Sequence, residues 1–241
     1  MAEVGEKPLI ENPLVGATAT LVFLSHSHLD KERATEVKGI LRTIGLEGFV
    51  AHEDIEPTLE WQDEILARLR TCRGLTVLAT EGARSSPWVS QEVGAAVIRG
   101  VGIVSISLGA APFGFLYRHQ AVRWRLPKSE KQMDLRDAAE ANIPALYHAL
   151  EKVGVATRDN LIEGIGRTRS FEEARVVAAV LARAGQLDPL QAARLAYLID
   201  KNSNVSGCWD AQRLFPSLIK PFSEILPPDL VDSLASKDFH I

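Results

Sequence analysis

GLTVLATEGARSSPWVSQEVGAA, residues 74–96, reads as strand, loop and helix in that order. Gly74–Thr80 is a short apolar run, the pattern of a strand buried on both faces. EGARS, residues 81–85, reads as a loop. Ser86 suits a helix N-cap, and Pro87 suits the first helical position, where its missing N–H leaves no bond unmade. Val89, Val93, Ala96 and Val97 then recur at helical spacing and face a core. Trp88 and Glu92 are four apart, so they are neighbours on a second stripe at the edge of that core. A carboxylate there is either an ordinary solvated charge or a half-buried functional group. The helix by itself favours the solvated reading, since most glutamates sit in water and do nothing special.

The same alternation runs outward in both directions. Thr20–Ser25, TLVFLS, is a first strand. KERATEVKGILRTIG follows, with Ala34, Val37, Ile40, Leu41 and Ile44 at helical spacing and Gly45 as its stop. GFVAH, 48–52, is a second strand, EDIEPTLE an acidic loop, and WQDEILARLRTC a helix with Trp61, Ile65, Leu66 and Leu69 on one face. GIVSISL, 102–108, is a fourth strand. Four strand–helix alternations predict a parallel sheet with helices on both faces. Ligands in such open sheets bind beyond the carboxyl ends of the strands, where Trp88 and Glu92 follow directly. This raises the functional reading of Glu92 by fold-level analogy.

After residue 126 helical patterns dominate. Ser170 with Glu173 reads as a capping box, and Asp188-Pro189 as an N-cap followed by a first-turn proline. The expected organisation is a flexible lead-in over 1–18, an α/β domain over 19–154 and a small all-helical module over 155–241.

Composition excludes several classes. The chain has 241 residues, 46% hydrophobic and 24% charged, with a net charge of −4. No basic surplus advertises nucleic acid or an anionic membrane. Cys72 and Cys208 form no CxxC pair and no ligand cluster, which fits a reducing, cytoplasmic setting. No run of about 18 apolar residues marks a membrane span. The first twenty residues lack a basic region followed by an apolar core, so they do not read as a signal peptide.

VFLSHSHLD on the first strand, FVAHEDIEP after the second and SPWVSQEVGAA after the third together resemble a bacterial-type TIR (Toll/interleukin-1 receptor) domain over roughly residues 18–150. The region after 155, including NSNVSGCWDAQRL, resembles the helical tail of stand-alone bacterial TIR proteins. The resemblance implies a flavodoxin-like α/β fold. It also implies one of two functions: cleavage of NAD+ at the nicotinamide–ribose bond, or assembly alone. Trp88 and Glu92 match the tryptophan and catalytic glutamate of the NAD-cleaving members. Leu24, Ser25, His26, Trp88, Asp54 and Ile55 are then the implied substrate-binding positions. The loop containing HEDIEP corresponds to the family's BB loop, which borders the pocket and contacts a neighbouring molecule through Ile55, Pro57 and Leu59.

That chemistry suits these residue types. Positive charge grows on the ribose as nicotinamide leaves, and a fixed carboxylate stabilises it. The leaving pyridinium needs no proton, so one carboxylate suffices. A flat indole beside it can pack a ring, although Trp88 also fits edge-of-core packing. Ser25 and His26 could touch ribose, phosphate or base, or simply cap the turn, and Asp30 reads as the cap of the following helix. Glu53, Asp54 and Glu56 also read as solvated, as do Glu60, Asp63 and Glu64 on or before the next helix. HSH at 26–28 lacks the further ligands a metal needs. NAD+ enters as substrate, with no cofactor and no metal. The expected partners are NAD+, a second copy of the chain and a downstream effector that senses a nucleotide product, as in Thoeris-like antiphage defence. Two rivals stay open: a non-catalytic signalling scaffold, and a receiver-like switch, for which VLAT lacks the expected strand-end aspartate.

Overall fold

The computed structural model describes residues 19–51, 61–118, 121–129 and 131–241. The lead-in over 1–18 and the loop positions Asp54, Ile55, Pro57 and Leu59 lie outside the described residues. Residues 19–157 and 158–241 form two compact units.

The first unit is a five-stranded parallel sheet. Its strands are β1 (Leu21–Ser25), β2 (Glu47–Phe49), β3 (Gly74–Ala79), β4 (Gly102–Ser107) and β5 (Val122–Arg123), in the order β2-β1-β3-β4-β5. Every residue of β3 is buried, as expected of a central strand covered by helices on both faces. Helices α1 (Lys31–Thr43), α2 (Trp61–Thr71), the single turn α3 (Glu81–Arg84), α4 (Pro87–Arg99) and α5 (Gln132–Lys152) connect or follow these strands. Phe23, Phe49, Ile65, Leu69, Leu75, Val77, Val89 and Val93 share one apolar core between sheet and helices.

Four details differ from the sequence reading. EGARS is no plain loop: Thr80 caps a helical turn through its side chain, which accepts from the Ala83 N–H. The second strand stops at Phe49 rather than residue 52, because it is an edge strand paired with β1 over three residues. The fifth strand was not expected at all; it is two residues long and pairs only with Ile106 and Ser107. The division into units falls after Thr157 rather than Gly154. Val155 belongs with the sheet, where a Cβ on Gly74 or Gly102 would meet its methyls at 2.8 or 2.6 Å. The two glycines leave the space that the valine fills.

The second unit is all helical: α6 (Arg158–Arg167), α7 (Phe171–Arg183), α8 (Pro189–Lys201), α9 (Ser203–Ser206), α10 (Trp209–Leu214), α11 (Pro216–Ile219) and α12 (Pro228–Ala235). Leu161, Ile165, Val177, Leu181, Leu195 and Ile199 form its interior. Asp188 and Gln191 make a reciprocal capping box. Ser170 caps α7, while the Glu173 carboxylate reaches back to the Arg169 N–H at 2.7 Å. Asn202 joins two helix ends. Its amide donates to Ile165 and Thr168 carbonyls, each at 3.1 Å, and its oxygen accepts from the Asn204 N–H at 3.0 Å. Lys237 and Ser233 hold Asp200, fixing the last helix to α8.

Candidate functional site

The strand order decides where a crevice opens. The chain leaves β1 toward β2 on one side and returns to β3 on the other, so the connections diverge at the carboxyl ends of β1 and β3. Ser25 ends β1, in register with Val77 of β3. The turn after β3 leads into α4, which carries Trp88 and Glu92.

Helix α4 forms for local reasons. Ser86 accepts from the Val89 N–H, Pro87 takes the first position, and Gly100 at φ 66° closes the far end in a conformation glycine adopts without steric cost. Val89, Val93 and Ala96 face the core. Glu92 sits beside them and is 8% exposed, so the solvated reading drawn from the helix alone does not hold. Its Oε2 accepts from Ser25 Oγ at 2.5 Å.

Burial controls this carboxyl's electrostatics. Removal from water disfavours the charged form and raises the group from its ordinary 4.5 to about 7, with the Ser25 hydrogen bond pulling the other way. The group is therefore poised between acid and carboxylate near neutral pH, a condition that proton transfer and charge stabilisation both exploit.

Trp88, one helical turn earlier, is 44% exposed. At that exposure the ring is outside the core interior, and both a pocket wall and edge-of-core packing stay open to it. His26 is half-buried, and its Nδ1 lies 3.3 Å from the Leu24 carbonyl. A carbonyl only accepts, which places a proton on Nδ1. The Leu24 side chain is 1% exposed and belongs to the core, and its backbone carbonyl is the group that meets His26. Of the rival carboxylates, Asp63 is exposed and Glu64 pairs with Arg68 at 2.7 Å.

Asp30 departs from expectation. It stands at the N-cap of α1 but makes no capping bond. Its carboxylate instead accepts from Thr80 Oγ1 at 2.7 Å, tying the turn after β1 to the turn after β3. Local sequence rules missed this link because its partner lies 50 residues away. The available signal was that both residues follow the ends of adjacent strands.

Among the described residues, no group of three or more His, Cys, Asp or Glu is placed to hold a metal ion, and no helix is long and apolar enough to cross a membrane. A cavity of about 560 Å³ lies elsewhere in the sheet unit, between β4, β5 and α5. Its walls include Ile103, Val104 and Val122, with Arg118, Arg123 and Lys152 at its rim.

Residues 22–147 match the protein family described as TIR domain, more than half of the 241 residues. A comparison with curated proteins gave no match.

Proposed function

The chain belongs to the TIR domain family, and from that premise we propose that it cleaves NAD+ at the nicotinamide–ribose bond, with Glu92 as the catalytic carboxylate. The observation that carries this reading is a glutamate buried at the strand-order switch and hydrogen-bonded by Ser25, where burial pushes its carboxyl up to about 7.

The steps balance with one carboxylate. The ribose C1′–nitrogen bond breaks and its electron pair passes to the pyridinium nitrogen, which becomes neutral nicotinamide. The ribose is left with oxocarbenium character, and ionised Glu92 stabilises that charge in a site with little competing water. Water adds at C1′ and gives up a proton, for which Glu92 is the acceptor. Attack by a nucleophile within the same ADP-ribosyl group gives a cyclic product instead. Trp88 supplies a wall for a flat ring, and His26 and Ser25 border the ribose. On the resemblance to bacterial TIR proteins, the setting is antiphage signalling, in which a downstream effector reads the nucleotide product.

The test is nicotinamide release from NAD+ by the purified chain, compared with Glu92→Gln. Release by the wild type and none by the variant supports the reading; equal release by both defeats it.

Self-association is part of the same proposal, and would be the whole function if no release is found. The cavity rim carries Arg118, Arg123 and Lys152, which have no ion-pair partner among the described residues. The loop over 53–60 carries Glu53, Asp54, Glu56 and Glu60. These opposite charges favour docking of one copy's loop on the next copy's cavity, a head-to-tail contact that propagates unless it closes into a ring. Arg118→Glu sets like charge against that acidic segment and should lower the scattering mass of concentrated protein. A wild type that stays monomeric at every concentration defeats the assembly reading and leaves Glu92's role standing.

A further inference from the structure

We propose that Asp30 and Thr80, with Ser27 seated on Gly82, form a positioning clasp that locks the turn after β1 to the turn after β3 and so keeps Ser25 within reach of Glu92. The kinetic part of this proposal rests on Glu92 being the reacting carboxylate; the geometric part does not.

Two independent contacts make the clasp. The first is the Thr80 hydroxyl, which donates to Asp30 at 2.7 Å and accepts from the Ala83 N–H at 3.0 Å. Its one proton and an acceptor site are both committed, so the hydroxyl has a single orientation. Asp30 gives up the capping bond open to it at the start of α1 in order to make this contact. The second is steric. Ser27 is buried and accepts from the Leu29 N–H. A Cβ added to Gly82 would stand 2.8 Å from Ser27 Oγ and 3.1 Å from its Cβ. The two turns therefore touch where no side chain fits.

Ser27 lies two residues beyond Ser25, and the turn containing Gly82 leads directly into α4. The clasp thus fixes both ends of the Ser25–Glu92 hydrogen bond from outside. Neither Asp30 nor Thr80 bonds to Ser25 or Glu92 among the described residues, so their action is indirect. A carboxylate that must face a developing charge tolerates little displacement, and such framing is what holds it.

The experiment uses the full chain with Thr80→Val, Thr80→Ser, Asp30→Ala and Gly82→Ala. The ¹³C titration of the Glu92 carboxyl is followed by NMR, a readout that needs no turnover, alongside thermal unfolding and nicotinamide release. Thr80→Val, Asp30→Ala and Gly82→Ala should raise the Glu92 midpoint, because each loosens the Ser25 bond that holds it down. Turnover should fall about tenfold, with KM moving less. Thr80→Ser keeps donor and acceptor and should restore both readouts. Asp30 is only partly buried, so Asp30→Ala remains an informative folded variant if Thr80→Val or Gly82→Ala does not fold. Folded Gly82→Ala and Asp30→Ala with the wild-type midpoint overturn the clasp. A shifted midpoint in protein that releases no nicotinamide supports the clasp and defeats the catalytic reading instead.

Discussion

Ser25 Oγ stands 2.5 Å from Glu92 Oε2, and this is the single hydrogen bond the buried carboxyl makes among the described residues. The partners are 67 residues apart in sequence. Ser25→Ala removes the donor and leaves burial unopposed, so the carboxyl should titrate above about 7. An acid with a raised value is still protonated below it, so the variant holds less carboxylate at neutral pH. Turnover should fall near pH 7 and recover as pH rises toward 9. The check is the pH dependence of kcat/KM; superimposable acid limbs for variant and wild type contradict it.

Glu92→Gln should cost about 100-fold or more in nicotinamide release, the scale for losing a transition-state electrostatic partner. It should also stabilise the protein at neutral and higher pH. Between 4.5 and about 7 the folded chain holds a proton that the unfolded chain has released, so wild-type stability declines across that window and is then level. Glutamine cannot ionise and escapes the decline. The advantage should be on the order of 3 kcal/mol above pH 8 and vanish near pH 4. Thermal unfolding of both proteins at the two pH values measures it.

Trp88→Ala should leave stability within about 1 kcal/mol, because a ring this exposed contributes little to the core. KM for NAD+ should rise by up to about tenfold, the worth of one ring–ring contact. A fall of many degrees in Tm would return Trp88 to a packing role.

Asn202→Ala should destabilise the helical unit by about 1–3 kcal/mol, since it strands carbonyls at the end of α6 and uncaps α9 together. Asn202→Asp keeps the cap for Asn204 but sets an acceptor against carbonyls, so it should be no milder. Trp209 is the one tryptophan of that unit, and its fluorescence reports the unfolding. Wild-type Tm in both variants would refute the double-cap account.

The alternation of buried strands and helices was legible because parallel strands covered on both faces read as unbroken apolar runs, as in TLVFLS and GLTVLAT. Val122–Arg123 escaped notice because two residues carry no period. The Glu92 position was legible from its spacing to Trp88, but its burial was not. Helical periodicity places it beside the core, and Ser25 on a distant strand completes its surroundings. Asp30 shows the same limit. Adjacent sequence makes it a cap, and Thr80, brought near by strand pairing, draws it away. Val155 packs with the sheet unit because two glycines on separate strands leave the space it fills, which adjacent sequence does not reveal.

If Glu92 receives a cationic ligand as proposed, a buried carboxyl pushed up to about 7 would act as an exchanger of positive charge. A ligand cation that settles against ionised Glu92 must evict the hydrogen ion already there, so below about 7 each binding event sheds up to one proton into the buffer. Hydrogen ion and cationic ligand are then rivals for one seat. Acidification weakens the ligand up to tenfold for each pH unit, about 1.4 kcal/mol, while alkaline conditions leave its affinity level. The heat of binding would carry the signature, changing with the ionisation enthalpy of the buffer chosen.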